Sequence, residues 1–102
     1  MQNLYIIGAG MGHISDLTEY AADIIKNADT VYGSARLYEQ YKVLNTNVSA
    51  PKYSEIENVL EKETLENTAL LVSGDVLFYS IAKKIQEKFK DKYNIELVPG
   101  IS

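Results

Sequence analysis

Three apolar runs along the chain predict buried strands, and each run ends at a loop that regular structure does not continue. The runs are Leu4–Ile7, Ala69–Val72 and Ile95–Val98. The loops that follow them are Gly8-Ala9-Gly10-Met11-Gly12, Ser73-Gly74-Asp75 and Pro99-Gly100-Ile101-Ser102. Short apolar runs bounded by glycine or proline are typical of strands buried in a parallel sheet. We therefore predict that these three loops lie at the ends of three strands.

Helical spacing of apolar residues predicts amphipathic helices between the strands. The first helix carries its apolar residues at Leu17, Tyr20, Ala21, Ile24, Ile25 and Ala28, and the last helix at Leu77, Ile81, Ile85 and Phe89. Ser15 or Asp16 is the expected N-cap of the first helix, because short polar side chains accept hydrogen bonds from the first free amides. Lysines on the other side of the last helix indicate a solvated face.

The middle of the chain predicts shorter elements. Thr30–Tyr32 is a predicted strand, Ala35–Tyr41 a predicted brief helix and Val43–Val48 a further short strand. Ser54 and Glu57 have the spacing of a capping box, in which serine and glutamate satisfy each other's backbone amides and open a helix. The alternation of strands and helices predicts one α/β domain over residues 1–102, with a parallel sheet of about five strands and helices on both faces.

Composition excludes several classes of site and partner. The chain has 102 residues, with 10 basic and 14 acidic side chains and a net charge of −4. Because nucleic-acid binding depends on concentrated positive charge, we expect no nucleic-acid partner. The chain has no cysteine and a single histidine, His13, so we expect no metal site. It has no apolar stretch of membrane-spanning length and no basic, apolar leader, so we expect no membrane partner and a cytoplasmic location.

The three loops form the candidate site, because ligands of open parallel sheets bind beyond the carboxyl ends of the strands. The first loop departs from the dinucleotide-binding fingerprint, since His13 stands where the third glycine belongs. It also lacks the lysine and the hydroxyl residue of a phosphate-binding P-loop. A plain glycine turn between strand and helix is the alternative interpretation.

Four polar or aromatic residues of the chain are considered for roles at this site. Asp75 has a carboxylate suited to a ribose or an ammonium group, or to capping a helix that begins near Leu77, and the two roles are compatible. Arg36 is the only arginine and suits a carboxylate, with a surface or local pairing role as the alternative. Tyr79 is the tyrosine expected nearest a pocket. His13 is expected at a helix entry or on the surface rather than as a base.

Taken together, the three loops resemble the N-terminal domain of the tetrapyrrole methyltransferases. In that family a first strand runs into Gly-x-Gly-Pro-Gly, present here as residues 8–12. A later strand runs into Ser/Gly-Gly-Asp-Pro and an aromatic, present here as residues 73–79. A further strand ends in Pro-Gly-Ile-Ser/Thr, present here as residues 99–102. The segment Ala28–Leu37 is most similar to the branch of the family that methylates a meso carbon of a precorrin.

The resemblance implies an activity and an assembly. It implies an S-adenosylmethionine-dependent C-methyltransferase that acts on a precorrin or cobalt-precorrin in cobalamin biosynthesis, with this chain as its N-terminal domain. Family members have a second domain of similar size, and the methyl donor lies in the cleft between the two. We therefore expect the C-terminal domain to be missing here, the chain alone to be inactive, and the complete enzyme to be a homodimer.

The resemblance also implies roles for residues of this chain. The positions expected to contact the methyl donor are Gly10, Met11, Ser73, Gly74, Asp75, Phe78 and Ser102, and those expected to contact the substrate are Gly8, Arg36 and Tyr79. No residue is predicted as a catalytic base. Met11 and Val76 replace prolines of the family pattern. Because proline fixes φ and lacks an amide hydrogen, both loops are expected to be less rigid than in the family, with an effect on affinity.

Two other functions fit the same pattern. One is a non-catalytic nucleotide-binding α/β module, which would bind a nucleotide as an isolated domain. The other is a different enzyme of the superfamily, of the diphthine-synthesis or ribosomal-RNA-methylating kind. The lack of basic patches weighs against the RNA substrate.

Overall fold

The computed structural model describes residues 1–10, 17–73 and 75–99, and for residues 10, 53, 73 and 75–77 it describes the backbone alone. Within these ranges the chain forms five strands, four α-helices and one 3-10 turn. In chain order the elements are β1 (Gln2–Gly10), α1 (Glu19–Asn27), β2 (Thr30–Tyr32), α2 (Ala35–Tyr41), β3 (Val48–Ser49), the 3-10 turn (Tyr53–Glu55), α3 (Ile56–Lys62), β4 (Asn67–Ser73), α4 (Asp75–Phe89) and β5 (Tyr93–Pro99).

The five strands run parallel in one sheet of order β3-β2-β4-β1-β5. The inner strands β4 and β1 are buried on both faces, and such strands are apolar throughout rather than alternating. This explains why Leu4–Ile7 and Ala69–Val72 are continuous apolar runs. The predicted α/β fold, with a parallel sheet and helices on both faces, is confirmed.

Helices cover both faces of the sheet. Ile6 and Ile7 are neighbours on β1 and point to opposite faces, yet each has 0% of its surface exposed. On one face Ile7 packs in a core with residues of α1 and α2, among them Ile25 and Leu37. On the other face Ile6 packs in a second core with residues of α3 and α4, among them Leu60.

The strand order follows from the handedness of the connections. Each crossover between parallel strands is right-handed, so the face that holds the helix fixes the direction in which the chain moves across the sheet. With α1 and α2 on one face, the chain moves towards the β3 edge. With α3 and α4 on the other face, it moves back through β4 to β5. The strands β1 and β4, whose following helices lie on opposite faces, are therefore adjacent in the sheet.

The first helix begins later than predicted. Thr18 is the N-cap of α1, and its Oγ accepts a hydrogen bond of 3.2 Å from the amide of Ala21. The prediction of Ser15 or Asp16 as the cap is therefore wrong, and both residues lie outside the described residues.

The predicted strand Val43–Val48 is mostly a turn, and only its final residue belongs to β3. The side chain of Asn45 gives the reason. Its Nδ2 donates to the carbonyls of Ile25 at 2.8 Å and Ala28 at 2.9 Å, at the end of α1. Its Oδ1 accepts from the amide of Asn47 at 2.8 Å. These bonds hold the segment as a loop that closes the carboxyl end of α1.

The predicted capping box at the start of α3 does not form. Ser54 lies in the 3-10 turn, and the N-cap residue Glu55 makes no side-chain capping bond. Glu57 instead pairs with two lysines of α4, with Nζ to carboxylate distances of 3.0 Å for Lys88 and 3.6 Å for Lys84. A glutamate that faces a neighbouring helix is not available to the turn, so this prediction is wrong.

The other predicted elements are confirmed, with differences at their ends. Thr30–Tyr32 and Ala35–Tyr41 have the predicted bounds. The last helix begins at Asp75, which is therefore its first residue and not a cap that precedes a helix from Leu77. In the described part of the chain, no helix combines the length and the apolar character needed to cross a membrane.

Candidate functional site

The carboxyl ends of β1, β4 and β5 lie side by side. Gly8 of β1 is aligned with Val72 of β4 on one side and with Pro99 of β5 on the other. Gly10 is aligned with Ser73. The strand ends that lead into the three candidate loops therefore meet at one edge of the sheet, which we call the carboxyl edge. The loop residues 11–16, 74 and 100–102 themselves lie outside the described residues.

The topology predicts a ligand-binding crevice at this edge. The connection after β1 leads to α1 on one face of the sheet, whereas β4 leads directly into α4 on the other face. Adjacent strands whose connections diverge in this way form the switch point at which open α/β sheets bind ligands. The pairing of β1 with β4 also shifts its register between Gly8 and Gly10, and such irregularities are common next to binding sites.

Gly8 lies against the ring of Phe78 and leaves room for a methyl group. A Cβ atom at this position would lie 3.4 Å from Cδ1 of Phe78. The Phe78 ring is 4% exposed and packs edge-on against Tyr79, with 5.0 Å between the ring centroids. The structure thus places Phe78 in the core beneath the crevice, against the glycine strand. Contact of Gly8 with a substrate and of Phe78 with a methyl donor stay predictions.

The remaining predicted donor positions are only partly described. Gly10 and Ser73 end the paired strands β1 and β4, and Asp75 begins α4. Met11, Gly74 and Ser102 lie outside the described residues, as does His13. The backbone thus brings Gly10, Ser73 and Asp75 to the same edge, and their roles stay predictions.

The two other predicted substrate residues lie apart from each other in the fold. Arg36 is exposed in the first turn of α2. Tyr79 is 63% exposed on α4. Contact of Arg36 and of Tyr79 with a substrate therefore stays a prediction.

A cavity of about 450 Å³ lies beside the crevice, at the carboxyl ends of β2, β3 and β4. We call it the β2–β4 cavity. Its lining residues are Gly33, Ser34, Ala35, Leu37, Ala50, Pro51, Lys52, Ile56, Leu70, Leu71, Val72 and Ile81. Ligand pockets commonly have volumes of about 300–1,000 Å³ and are mainly apolar with a few polar groups.

Unequal strand lengths create this cavity. β2 ends at Tyr32, which is aligned with Leu70 of β4, and β3 ends at Ser49. β4 continues beyond that level to Ser73, so its last residues have no strand beside them on the β2 side within the described residues. The segments after β2 and β3 turn away at Gly33 and Ala50 and form the walls.

Gly33 makes the closest part of this wall possible. A Cβ atom here would lie 3.3 Å from the Cβ atoms of both Leu37 and Leu71. Both leucines are buried, with exposed fractions of 1% for Leu37 and 3% for Leu71. A side chain at this position would therefore have to push Leu37 or Leu71 away by a few tenths of an ångström.

The residues that close the cavity were not predicted from the sequence. These residues are Pro51 and Lys52, which follow β3, and Ile56 of α3 and Ile81 of α4. The one usable signal was Pro51 directly before Lys52, a turn at the end of a strand. No local pattern indicates that this turn faces α4.

A polar cluster at the opposite, amino edge of the sheet has a structural role. The hydroxyl of Tyr32 donates to the carboxylate of Glu63, which also accepts from the amides of Thr64 at 2.9 Å and Leu65 at 3.2 Å. Burial alone would raise the pKa of Glu63, but these hydrogen bonds outweigh it and hold the pKa below its ordinary value. Burial, with the bond to Glu63, raises the pKa of Tyr32 to about 12. These groups bind the α3–β4 connection to the sheet.

Among the residues that the structure describes, no group of three or more histidine, cysteine, aspartate or glutamate side chains could hold a metal ion.

Comparison with protein families gives a match over almost the whole chain. Residues 3–102 match the family model described as Tetrapyrrole (Corrin/Porphyrin) Methylases. The match includes all three candidate loops and both segments that line the β2–β4 cavity after β2 and β3.

Two curated relatives are similar in sequence. A probable cobalt-precorrin-7 C(5)-methyltransferase of Methanocaldococcus jannaschii is 31% identical over 104 residues, which cover 97% of this chain and 49% of that protein. A cobalt-factor III methyltransferase of Priestia megaterium is 28% identical over 113 residues, which cover 97% of this chain and 21% of that protein. The chain therefore spans half or less of the length of these relatives.

Two solved structures share the fold. The cobalamin biosynthesis precorrin-6Y methylase of Archaeoglobus fulgidus superposes with a TM-score of 0.72 at 24% identity, over 98% of this chain and 53% of that one. A structure assigned as a diphthine synthase of Entamoeba histolytica gives a TM-score of 0.72 at 21% identity, over 100% of this chain and 42% of that one. At these identities the likeness shows the fold alone, and it extends to enzymes named for different substrates.

Proposed function

Because this chain belongs to the tetrapyrrole (corrin/porphyrin) methylase family, we propose that it forms part of an S-adenosylmethionine-dependent C-methyltransferase that acts on a precorrin or cobalt-precorrin in cobalamin biosynthesis. The family match over residues 3–102 is the observation that carries this proposal. Both curated relatives are named as methyltransferases of cobalamin precursors, which supports the substrate class.

The finer assignment is C5 methylation of a cobalt-precorrin-7. Its support is the 31% identity to a relative named for that reaction, together with the segment Ala28–Leu37. In the fold this segment contains β2 and the start of α2, and part of it lines the β2–β4 cavity. The segment is therefore in a position to distinguish one macrocycle from another.

The methyl donor is assigned to the carboxyl edge, between the ends of β1, β4 and β5. The proposed donor contacts are Gly10, Met11, Ser73, Gly74, Asp75, Phe78 and Ser102, and the proposed substrate contacts are Gly8, Arg36 and Tyr79. The support is the divergence of the connections after β1 and β4, the arrangement at which open α/β sheets bind ligands. Asp75 at the first turn of α4 supplies a carboxylate for a hydroxyl or ammonium group of the donor.

The proposed chemistry is a direct methyl transfer. S-adenosylmethionine would supply an electrophilic methyl group on a sulfonium: an electron pair of the macrocycle would form the new carbon–carbon bond, and the electron pair of the broken carbon–sulfur bond would stay on sulfur. The residues of this chain would bind and orient the reactants. Holding two reactants in line can contribute about 7–11 kcal/mol to lowering a barrier, so positioning alone accounts for much of the rate.

The first test measures donor binding in the complete protein by isothermal titration calorimetry. We predict that Asp75→Ala weakens binding of S-adenosylhomocysteine at least about tenfold, since charge-assisted hydrogen bonds contribute roughly 1.5–3 kcal/mol. The matched control is Asp91→Ala, an exposed aspartate just past the other end of α4, which should leave affinity unchanged. Equal affinity of Asp75→Ala and the parent protein would remove Asp75 from the donor site.

The second test measures the reaction. The complete protein is incubated with S-adenosylmethionine and cobalt-precorrin-7, and the product is analysed by mass spectrometry for one added methyl group and by nuclear magnetic resonance for its position. Transfer to another ring carbon would keep the substrate class and reject the C5 assignment. Transfer to no precorrin would reject the proposed function.

We also propose that the complete protein is a homodimer, as the family resemblance implies, and that it is cytoplasmic. Light scattering coupled to size-exclusion chromatography gives the mass of the assembly, and a monomer at micromolar concentration would contradict the dimer.

A further inference from the structure

The β2–β4 cavity has a chemical character of its own. Nearly all of its lining is apolar, with side chains contributed by three strands' ends and by α2, α3 and α4. Its polar side chains are those of Ser34 and Lys52. The Ser34 Oγ is already used as the N-cap of α2, where it accepts a hydrogen bond of 3.3 Å from the amide of Leu37. Lys52 is therefore the polar group of this cavity that remains for a ligand.

The position of Lys52 at the cavity rim also suits a cation that binds a ligand. It follows Pro51 at the turn after β3, and its side chain is exposed at the cavity rim. Lysine side chains commonly lay their methylene groups on apolar surface and keep the ammonium group at the edge. Among the described residues Lys52 forms no ion pair, whereas Lys84 and Lys88 pair with Glu57.

This combination suits one kind of ligand group. An apolar recess of about 450 Å³ accepts a hydrocarbon ring or chain, and a single ammonium group at its mouth accepts one anion. In a domain with a net charge of −4, a cation at the rim of an apolar recess favours binding of an anion at that point. Tetrapyrrole precursors of corrins carry acetate and propionate side chains around an apolar ring.

We propose that the β2–β4 cavity is a substrate-positioning subsite, in which the edge of the macrocycle enters the apolar recess and Lys52 binds the carboxylate of one peripheral side chain. This inference rests on the proposed function. It adds a positioning residue, Lys52, that neither the sequence pattern nor the family resemblance indicated. The subsite lies next to the carboxyl edge, because Val72 lines the cavity and is aligned with Gly8 of β1.

The experiment measures binding of two stable corrinoids to the complete protein by absorbance titration. One probe is cobyrinic acid, which carries free carboxylates, and the other is its heptamethyl ester, which has the same ring without the charges. We expect Lys52→Gln to weaken binding of cobyrinic acid about tenfold and to leave the affinity for the ester unchanged. We expect Lys52→Arg to retain most of the affinity for the acid.

Matched variants separate the charge from the cavity. Lys83→Gln changes another exposed lysine, on α4 and outside the cavity lining, and should leave both affinities unchanged. Ala50→Phe places a ring into the cavity from an exposed position and should weaken binding of both probes about tenfold. Far-ultraviolet circular dichroism and melting temperature establish that each variant is folded.

The outcomes distinguish this inference from the proposed function. If Lys52→Gln binds cobyrinic acid as tightly as the parent protein, Lys52 is not a carboxylate partner and the proposal fails. If Ala50→Phe leaves both affinities unchanged, the macrocycle does not enter the cavity and the proposal fails, even where methyl transfer to a precorrin proceeds normally. If the parent protein neither binds these corrinoids nor methylates a precorrin, the proposed function fails and the subsite fails with it.

In the methyl-transfer reaction, Lys52→Gln should raise KM for the precorrin about tenfold with kcat and donor affinity unchanged. A variant that only disturbed the fold would lower kcat and donor affinity together, and that result would contradict a positioning role.

Discussion

Gly33 and Gly8 show how the absence of a side chain can have two different consequences. At Gly33 a Cβ atom would lie 3.3 Å from two buried leucine Cβ atoms, which cannot move without the backbone. At Gly8 the nearest atom is an edge carbon of the Phe78 ring at 3.4 Å, an ordinary contact distance. Close packing therefore disfavours a side chain at position 33, whereas Gly8 leaves room for a methyl group.

We predict that Gly33→Ala lowers the free energy of unfolding by about 1–3 kcal/mol, because an added carbon in a filled space forces its neighbours apart. Gly8→Ala should stay within about 1 kcal/mol of the parent protein, since alanine also restricts the unfolded chain. Urea unfolding followed by circular dichroism measures both. Equal destabilisation by the two substitutions would contradict the packing assigned to Gly33.

The pair of Tyr32 and Glu63 gives the protein a defined response to alkaline pH. The pKa of Tyr32 is raised from 10.0 to about 12 by burial and by its bond to the carboxylate of Glu63. A raised pKa means that the folded state holds the phenol proton more strongly than the unfolded chain. The resulting stabilisation is fully present below pH 10 and is lost as the pH rises towards 12.

We predict that the free energy of unfolding of the parent protein falls more steeply between about pH 10 and 12 than that of Tyr32→Phe. Tyr93, whose pKa burial also raises to about 12, should supply the fall that remains in the variant. Urea unfolding at a series of pH values from about 9 to 12 gives both slopes. Parallel curves for the two proteins would show that Tyr32 is not linked to stability in this range.

At the level of single elements, helix ends were harder to predict than helix bodies. Three residues before α1, Ser15, Asp16 and Thr18, have side chains suited to an N-cap, and the local pattern does not rank them. The structure selects Thr18, whose Oγ accepts a hydrogen bond from the amide of Ala21.

We predict that Thr18→Ala lowers the free energy of unfolding by about 1 kcal/mol through loss of the bond to the amide of Ala21. Thr18→Ser should restore most of the loss, because it keeps the hydroxyl. Ser15→Ala is the comparison and should change stability by less than about 0.5 kcal/mol. A larger effect at Ser15 than at Thr18 would identify Ser15 as the N-cap of α1.

For the whole molecule, the two cores on opposite faces of the sheet carry the stability. Ile6 and Ile7 occupy successive positions of β1 and are each 0% exposed, so neither face of this strand meets solvent. A sheet with one wet face would instead show alternation of apolar and polar residues. Both isoleucines are therefore core residues of different layers.

We predict that Ile6→Ala and Ile7→Ala each lower the free energy of unfolding by about 2–5 kcal/mol, through lost burial and the cavity left behind. Val43→Ala, at a valine that is 73% exposed, should change it by less than about 0.5 kcal/mol. Chemical unfolding of the three variants compares the layers directly. A small effect at either isoleucine would mean that one face of the sheet is open.

Local patterns along the chain were sufficient for the fold class and for most elements. The apolar runs before the three loops, the strand Thr30–Tyr32 and the helix Ala35–Tyr41 could be predicted because burial and capping act over a few residues. The same patterns predicted loops from Gly8, Ser73 and Pro99, whereas in the structure these residues still belong to β1, β4 and β5, and β1 continues to Gly10.

What needed the folded chain was every feature that depends on residues far apart in sequence. The segment at Asn45 is a loop because its amide binds carbonyls at the end of α1, and Glu57 leaves its own turn for lysines of α4. The β2–β4 cavity exists because β2 stops opposite Leu70 while β4 continues, so that Lys52 and Ile81 come to one space. Hydrophobic periodicity indicates whether a residue faces the core. Which residues it contacts there depends on the packing of elements that are distant in sequence.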